Sequence, residues 1–555
     1  MNKIFGWVYN MNKKLFKKLS LVITIIIMLA VCFVFTSCKK SKYDRLISYS
    51  FSNNPKNLDP QTAYESEEIT LINNIFEGLY KKNLNNKYEL GVAENVSESD
   101  NGKKLTFTIK NNVFWHFPKE EKNVKVKADD FVFAFKRLIN RETNSPYASN
   151  YFFIKNAQKI NEGKMSIKSL GVYKNEKNQL VIELENKTPF LKELLAQSAA
   201  MPCNRNFFES TKGRYGTSKE TIISNGPFYL NTWNNEKNTT KFRIRKNDKY
   251  HLKDLVKIIG VNFSVKTPEE SFNLLKNNDI NSAIVSSSQF NNLPKNQFKS
   301  IPFHNKVNGI IFNEKNNFLG KVKIHTALSF SVNRDKLEDK LTSNQAIANN
   351  LIPNSITITG KPYNKLKKWN CCPQYDPDQA KSMFESKKEE IKKTDKKFDI
   401  NSFSILTKDS SNAVLNQLLQ IWQKDLNLFL KIDNQNEEQY NKKLENGQFD
   451  CALVSINSSY NSPASILKNF TKNSPFNYSK YEIKKFDEEL NSVASQNDIE
   501  TITEKYRELE ETIVKYGYFI PLTFETEYFV TDKKFKDIMF TPSSKQFYYA
   551  YCHSD

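Results

Sequence analysis

Arg45-Leu-Ile-Ser-Tyr-Ser-Phe51, running on into Ser52-Asn-Asn-Pro-Lys-Asn-Leu58-Asp59-Pro60, marks where the folded part of this chain begins. Residues 45–51 read as a first strand, and the preceding Lys39-Lys-Ser-Lys-Tyr-Asp44 as a short polar tether. Outward from there, two hydrophobic periods alternate. Leu105-Thr-Phe-Thr-Ile109 and Leu180-Val-Ile-Glu-Leu184 repeat every second residue, as half-buried strands do. Residues 128–138 read as a helix, with Asp129 and Asp130 at its start and Lys136 and Arg137 at its end, the arrangement that the helix dipole favours. At Tyr375-Asp376-Pro377, Asp376 can cap a helix whose first position Pro377 occupies. The pattern is mixed α/β, with candidate boundaries near 62–66, 203–206, 266–269 and 490–500.

Upstream, the run Leu21-Val-Ile-Thr-Ile-Ile-Ile-Met-Leu-Ala-Val-Cys-Phe-Val-Phe35 follows Lys13, Lys14, Lys17 and Lys18 and stops at Thr36-Ser37-Cys38. A positive flank, a short apolar core and small residues describe a signal peptide, and the core is short for a comfortable membrane span. The cysteine junction resembles the bacterial lipobox, which implies lipidation of Cys38 and an extracytoplasmic, membrane-tethered body. An uncleaved anchor helix would tether it equally.

The 555-residue chain carries a net charge of +21, and its first 37 residues hold five lysines and no acid, which leaves +16 over the remaining 518. Such a length allows two or three domains, and 39% apolar residues supply their cores. The lysines spread along the whole chain and accompany an excess of asparagine, so an AT-biased genome together with attraction to anionic lipid headgroups near the anchor explains the charge better than a nucleic-acid groove. Cys203, Cys371, Cys372, Cys451 and Cys552 give an odd count with no connectivity to infer. None of the five histidines opens a His-Glu-x-x-His pair, and neither a P-loop nor a Gly-x-Ser-x-Gly elbow occurs. The expectation is a protein that is not an enzyme and holds no cofactor or metal.

Further segments stand in a telling order. They include Ile75-Phe-Glu-Gly-Leu-Tyr80, Ser145-Pro-Tyr-Ala148, Ser224-Asn-Gly-Pro-Phe228, Gly309-Ile-Ile-Phe-Asn313, Asn333-Arg-Asp335, Gly447-Gln-Phe-Asp450 and Ile520-Pro-Leu522. Together with Leu58-Asp59-Pro60, this order resembles family 5 of the extracellular solute-binding proteins, the oligopeptide- and dipeptide-binding lipoproteins of ABC importers. The resemblance implies an α/β, periplasmic-binding-protein-like type II fold, two lobes joined by a hinge, with the extra domain of the large peptide-binding subgroup. It divides the chain into a signal peptide (1–37), a first lobe (38–62, 204–268 and 496–555), an extra domain packed on it (63–203) and a second lobe (269–495). The implied function is capture of an oligopeptide or related solute between the lobes and delivery to ABC permease subunits, by a monomer tethered through Cys38 and without nucleic acid. A surface adhesin or signalling receptor on the same scaffold is the alternative.

In the resembling proteins a carboxylate receives the peptide's ammonium from a segment of glycine, tryptophan, two small residues, aspartate, tyrosine, two residues and proline. The corresponding stretch here is Ser455-Ile456-Asn457-Ser458-Ser459-Tyr460-Asn461-Ser462-Pro463. Tyr460 and Pro463 match, but Ser459 replaces the aspartate and Ile456 the tryptophan. A hydroxyl accepts a hydrogen bond without neutralising charge. Ammonium recognition at this position is therefore expected to weaken by about a few kcal/mol, unless another acid such as Glu65 or Glu67 takes it over. Asn457, Asn461, Tyr147, Tyr64, Ser66 and Ser286 complete the expected ligand contacts. Asn225-Gly226-Pro227 reads as a rigid turn, Trp115, Trp233 and Trp422 as core, and His325 as a packing or surface change.

Overall fold

A computed structural model describes residues 45–554 apart from 186, 187, 189, 235–239, 359, 360, 367, 368, 397, 459, 460, 494, 495 and 497. Cys38, Ser459 and Tyr460 thus lie outside the described residues. Contacts divide the chain into two compact units, Met1–Leu46 and Ile47–Asp555. Of the first, only Arg45 and Leu46 are described; the second carries the cores and the cavity.

The strand read at 45–51 is Leu46–Phe51 and belongs to an eleven-stranded mixed sheet. From one edge the order is Phe228–Asn234, Lys241–Lys246, Gly260–Val265, Leu46–Phe51 and Ser282–Ser286. It continues through Ile520–Asp532, Phe298–Phe312, Cys451–Asn457, Ser404–Thr407 and Lys431–Asn434, while Gln345–Ile347 pairs with Ile520–Asp532. Two long antiparallel strands, Phe298–Phe312 and Ile520–Asp532, hold the middle, paired from Phe298 opposite Asp532 to Ile310 opposite Ile520 with register shifts between Phe303 and Lys306 and between Asn308 and Gly309. Phe303 and Phe529 of this pair join a core built otherwise from residues 47–263 and 535–552. Val307, Ile310, Ile520 and Phe524 of the same pair join two cores built from residues 307–524. One strand pair therefore links two hydrophobic bodies. At Gly309 a Cβ would meet Ile520 O at 2.4 Å and the Phe519 ring at 2.5 Å, so the residue there has none.

A second, four-stranded antiparallel sheet runs Ala93–Ser99, Lys104–Ile109, Leu180–Glu183, Val172–Lys174, so both period-two segments are strands. The charge-marked helix spans Ala128–Ile139 and buries Phe131, Ala134, Phe135 and Leu138. Asp376 Oδ1 accepts from Gln379 N at 2.9 Å at the head of the helix Pro377–Thr394. Trp115 and Trp422 are fully buried, donating to Asp130 Oδ2 (3.1 Å) and Leu328 O (3.2 Å), whereas Trp233 is half-buried. Cys203, Cys371, Cys372, Cys451 and Cys552 are free. No helix among the described residues is long and apolar enough to cross a membrane.

The turn at Asn225-Gly226-Pro227 shapes the site. Asn225 N and Gly226 N both donate to Ile75 O (3.1 and 2.9 Å), and the Asn225 amide holds both backbone groups of Glu77. A Cβ on Gly226 would stand 2.7 Å from the backbone of Ile75 and Phe76, which cannot yield as a flexible side chain can. Gly226→Ala is expected to lower the unfolding free energy by about 1–3 kcal/mol in urea titration. A variant as stable as the parent would show that this close approach is not needed.

Candidate functional site

A cavity of about 950 Å³ opens where segments attached to the two bodies face one another. One wall is made by residues 64–66, Ile69, residues 76–78 and 80–82, Tyr88, Pro146, Tyr147, Glu193, residues 196–198 and Met201. The other is made by Val454 to Ser458, Asn461, Ser465, Lys468 and Phe476 to Ser479, and residues 539–548 contribute a third side.

The first wall is set by buried polar links. Glu68 Oε1 accepts from Lys56 N (3.0 Å) and Asn57 N (2.9 Å), and its Oε2 from Tyr64 N (3.2 Å) and Glu65 N (3.3 Å). This carboxylate fixes the chain entering the helix Ser66–Ile75. Behind it, Arg137 makes a two-pronged contact with Asp59 and donates to Gln61 Oε1 at 2.6 Å, while Gln61 Nε2 reaches Ala199 O and Met201 O. Ser145 Oγ donates to Gln61 O at 2.6 Å. These bonds tie Leu58-Asp59-Pro60 to the helix Ala128–Ile139 and to the 198–201 turn.

On that wall lie Tyr64, Ser66 and Tyr147. The Tyr147 hydroxyl donates to Ala63 O at 2.8 Å, and burial pushes its phenol pKa up, so what it turns to the cavity is chiefly its ring. Glu77 is sequestered: burial pushes its carboxyl pKa up, but His251 at 2.5 Å, Lys81 at 3.6 Å and the Tyr250 hydroxyl more than offset this and hold it below the usual range. Tyr64 and Phe476 are 66% and 60% exposed, the highest among the large hydrophobic residues described, and they stand on opposite walls. Apolar rings left uncovered in a polar-lined hollow are the surfaces a ligand would cover.

The second wall follows from the strand Cys451–Asn457, whose buried residues Cys451, Ala452 and Val454 give way to the more open Ser455, Ile456 and Asn457 as it reaches the cavity. Ile456 and Asn457 pair with Val307 and Lys306. Ser458 N donates to Asn305 O (3.0 Å) and its hydroxyl to Ser543 O (2.6 Å). Asn461 Oδ1 accepts from Thr357 N (2.8 Å) and its Nδ2 donates to Thr357 Oγ1 (2.7 Å). Ile456, Asn457 and Asn461 therefore share one wall, immediately flanking the undescribed Ser459 and Tyr460.

Ser286 stands elsewhere. Its hydroxyl accepts from Gln289 N at 3.3 Å as the cap of the helix Ser287–Asn291, and it does not line the cavity. The sequence offered it as a ligand contact, without a signal that a short helix follows at once. Glu65 lines the cavity, whereas Glu67 does not and accepts instead from Asn53 N (3.1 Å) and Nδ2 (3.3 Å). Among residues the sequence did not single out, Glu193, Lys82, Tyr88, Lys468 and Phe476 all line the cavity. His325 is buried packing, stacked on Phe312 at 4.7 Å. Among the described residues, no group of three or more His, Cys, Asp or Glu could hold a metal ion.

Two bodies sharing a strand pair, with a polar and aromatic hollow between facing walls, define a clamp-type binding protein. Residues 87–478 match the bacterial extracellular solute-binding proteins, family 5 Middle, and the chain belongs to this family. It is 25% identical over 533 residues to the oligopeptide-binding protein OppA of Bacillus subtilis, covering 92% of this chain and 93% of that one. It is 24% identical over 504 residues to a dipeptide-binding protein of Lactococcus lactis, covering 88% and 90%. The structure of Listeria monocytogenes OppA bound to peptide superposes with a TM-score of 0.70 at 20% identity, over 92% of this chain and 99% of that one. The fold is the two-lobed, hinged α/β type II fold with the extra domain of the large members.

Proposed function

We propose that this protein is the substrate-binding component of an ABC importer, a monomer held outside the cytoplasmic membrane by lipid on Cys38, that captures oligopeptides or a related solute and presents it to a permease. The observation that carries this reading is the cavity of about 950 Å³ with side chains from both walls and two uncovered aromatic rings, a size at the upper end of ligand pockets generally. The names of the relatives, oligopeptide- and dipeptide-binding proteins, support the ligand class. Ligand contacts made to both walls at once exist only when the lobes are together, so binding shifts an open–closed equilibrium toward the closed form. That closed form is what a permease can distinguish.

Small-angle scattering tests the reading. Mature protein stripped of ligand by unfolding and refolding should contract on adding a mixture of tri- to pentapeptides, with a one-to-one calorimetric isotherm. Unchanged scattering together with no heat would contradict it.

A further inference from the structure

Seven charged side chains line the cavity: Glu65, Glu77, Glu193, Lys81, Lys82, Lys468 and Lys545. Three are already committed within the protein. Glu77 is held by His251, Tyr250 and Lys81, Lys81 sits between Glu77 (3.6 Å) and Glu89 (3.7 Å), and Lys545 pairs with Glu527 at 2.8 Å. Of the two remaining carboxylates, Glu65 marks the start of the helix Ser66–Ile75, where the chain is fixed by Glu68. Glu193 is different in kind. It belongs to the short helix Leu191–Leu194 and lines the cavity together with Tyr88 and Lys82 of its own wall and Asn461 of the facing wall. Burial raises its carboxyl pKa by more than Lys82, Tyr88 and Asn461 lower it. A carboxylate has about four acceptor positions, so it can take donors from a ligand. The facing wall adds a directional argument: among its described lining residues between 454 and 479 the charged side chain is Lys468, a cation, and none is an acid.

We propose that Glu193, flanked by Tyr88 and Asn461, receives a cationic group of the ligand, either an N-terminal ammonium or a lysine or arginine side chain, and so sets specificity for charge. The inference rests on the peptide-binding function proposed above. It deepens that reading by placing the cation on the wall opposite Ile456 and Asn457. Because Asn461 belongs to the facing wall, a cation seated at Glu193 lies where the walls meet and is enclosed when the lobes close. Desolvating an ammonium beside a carboxylate is favourable only when the pair forms, which makes this a discriminating contact.

Calorimetry with three probes on the mature chain tests it: tetraalanine with a free amine, N-acetyl-tetraalanine, and N-acetyl-Ala-Ala-Lys-Ala. The wild-type protein should bind at least one of the two cationic peptides about tenfold or more tightly than N-acetyl-tetraalanine. Which of them is preferred tells terminal ammonium from side chain. Glu193→Gln should abolish that preference. Equal affinity for all three in the wild type, or a preference that survives Glu193→Gln, overturns the assignment of Glu193 while leaving peptide binding in place. Failure of every probe to bind removes the functional reading and the inference with it. The wild-type comparison needs no substitution, so a poorly folding variant does not rescue the idea.

Discussion

Asp59→Ala should lower the unfolding free energy by about 3–5 kcal/mol, the largest effect expected of any substitution outside the hydrophobic cores. The Arg137 guanidinium and the Asp59 carboxylate are about 10% and 8% exposed, and their two-pronged contact is backed by Gln61 Oε1. Removing one partner from such a pair strands the other charge in a dry place, which costs far more than the intact pair gains. Arg137 also lies over the Phe208 ring at 4.1 Å, so it cannot swing to solvent without opening that packing. Asp59 Oδ1 also accepts from Gln61 N at 3.2 Å and so helps to organise the turn that leads to Ala63. Urea titration checks the prediction, and ligand binding should weaken in parallel because the Tyr64 wall hangs from this turn. A loss below about 1 kcal/mol would show that Arg137 finds another partner.

The second large effect is a dependence on acid. His325 is fully buried, its Nε2 lies 2.8 Å from the Tyr481 hydroxyl, and burial pushes its pKa down from 6.5 to about 3. The titratable groups packed around it, Tyr481 and Tyr518, keep their protons throughout the acid range. Between about pH 6.5 and about pH 3 the unfolded chain therefore binds a proton at this residue that the folded chain does not. Stability falls as pH falls through that window, by about 2 kcal/mol at pH 5 from this residue alone. Denaturant titrations at pH 7 and pH 5 on the parent and on His325→Gln should show the variant losing about 2 kcal/mol less between the two conditions. An identical pH dependence would mean that His325 is solvated in the folded protein.

How much of this was readable beforehand depends on how local each signal was. The helix Ala128–Ile139 announced itself because acids, an apolar face and cations fall in order within twelve residues. Asp376 and Pro377 did the same for a helix start, and Trp115 and Trp422 proved to be core. The pairing of Asp59 with Arg137 was not readable, because the partners are distant in sequence and meet through the fold. Within the cavity, Ile456, Asn457, Asn461, Tyr64, Ser66 and Tyr147 came from a family pattern and lie on its walls. Glu193 carried no such mark: Leu191-Lys-Glu-Leu194 is an ordinary helical turn until folding sets it beside Tyr88 and Asn461. Ser286 caps a helix away from this cavity, and a capping serine and a ligand-binding serine look alike in a sequence.

That the hollow between the walls is occupied by a small solute in the working protein can be measured without knowing the solute. Native mass spectrometry of the mature chain, purified gently and never unfolded, should show a one-to-one adduct with the mass of a short peptide or comparable solute. It should leave on denaturation and be displaced by added tri- to pentapeptides. Protein that flies bare, takes up nothing from a peptide mixture and instead binds polyanions in a salt-sensitive way would contradict the clamp.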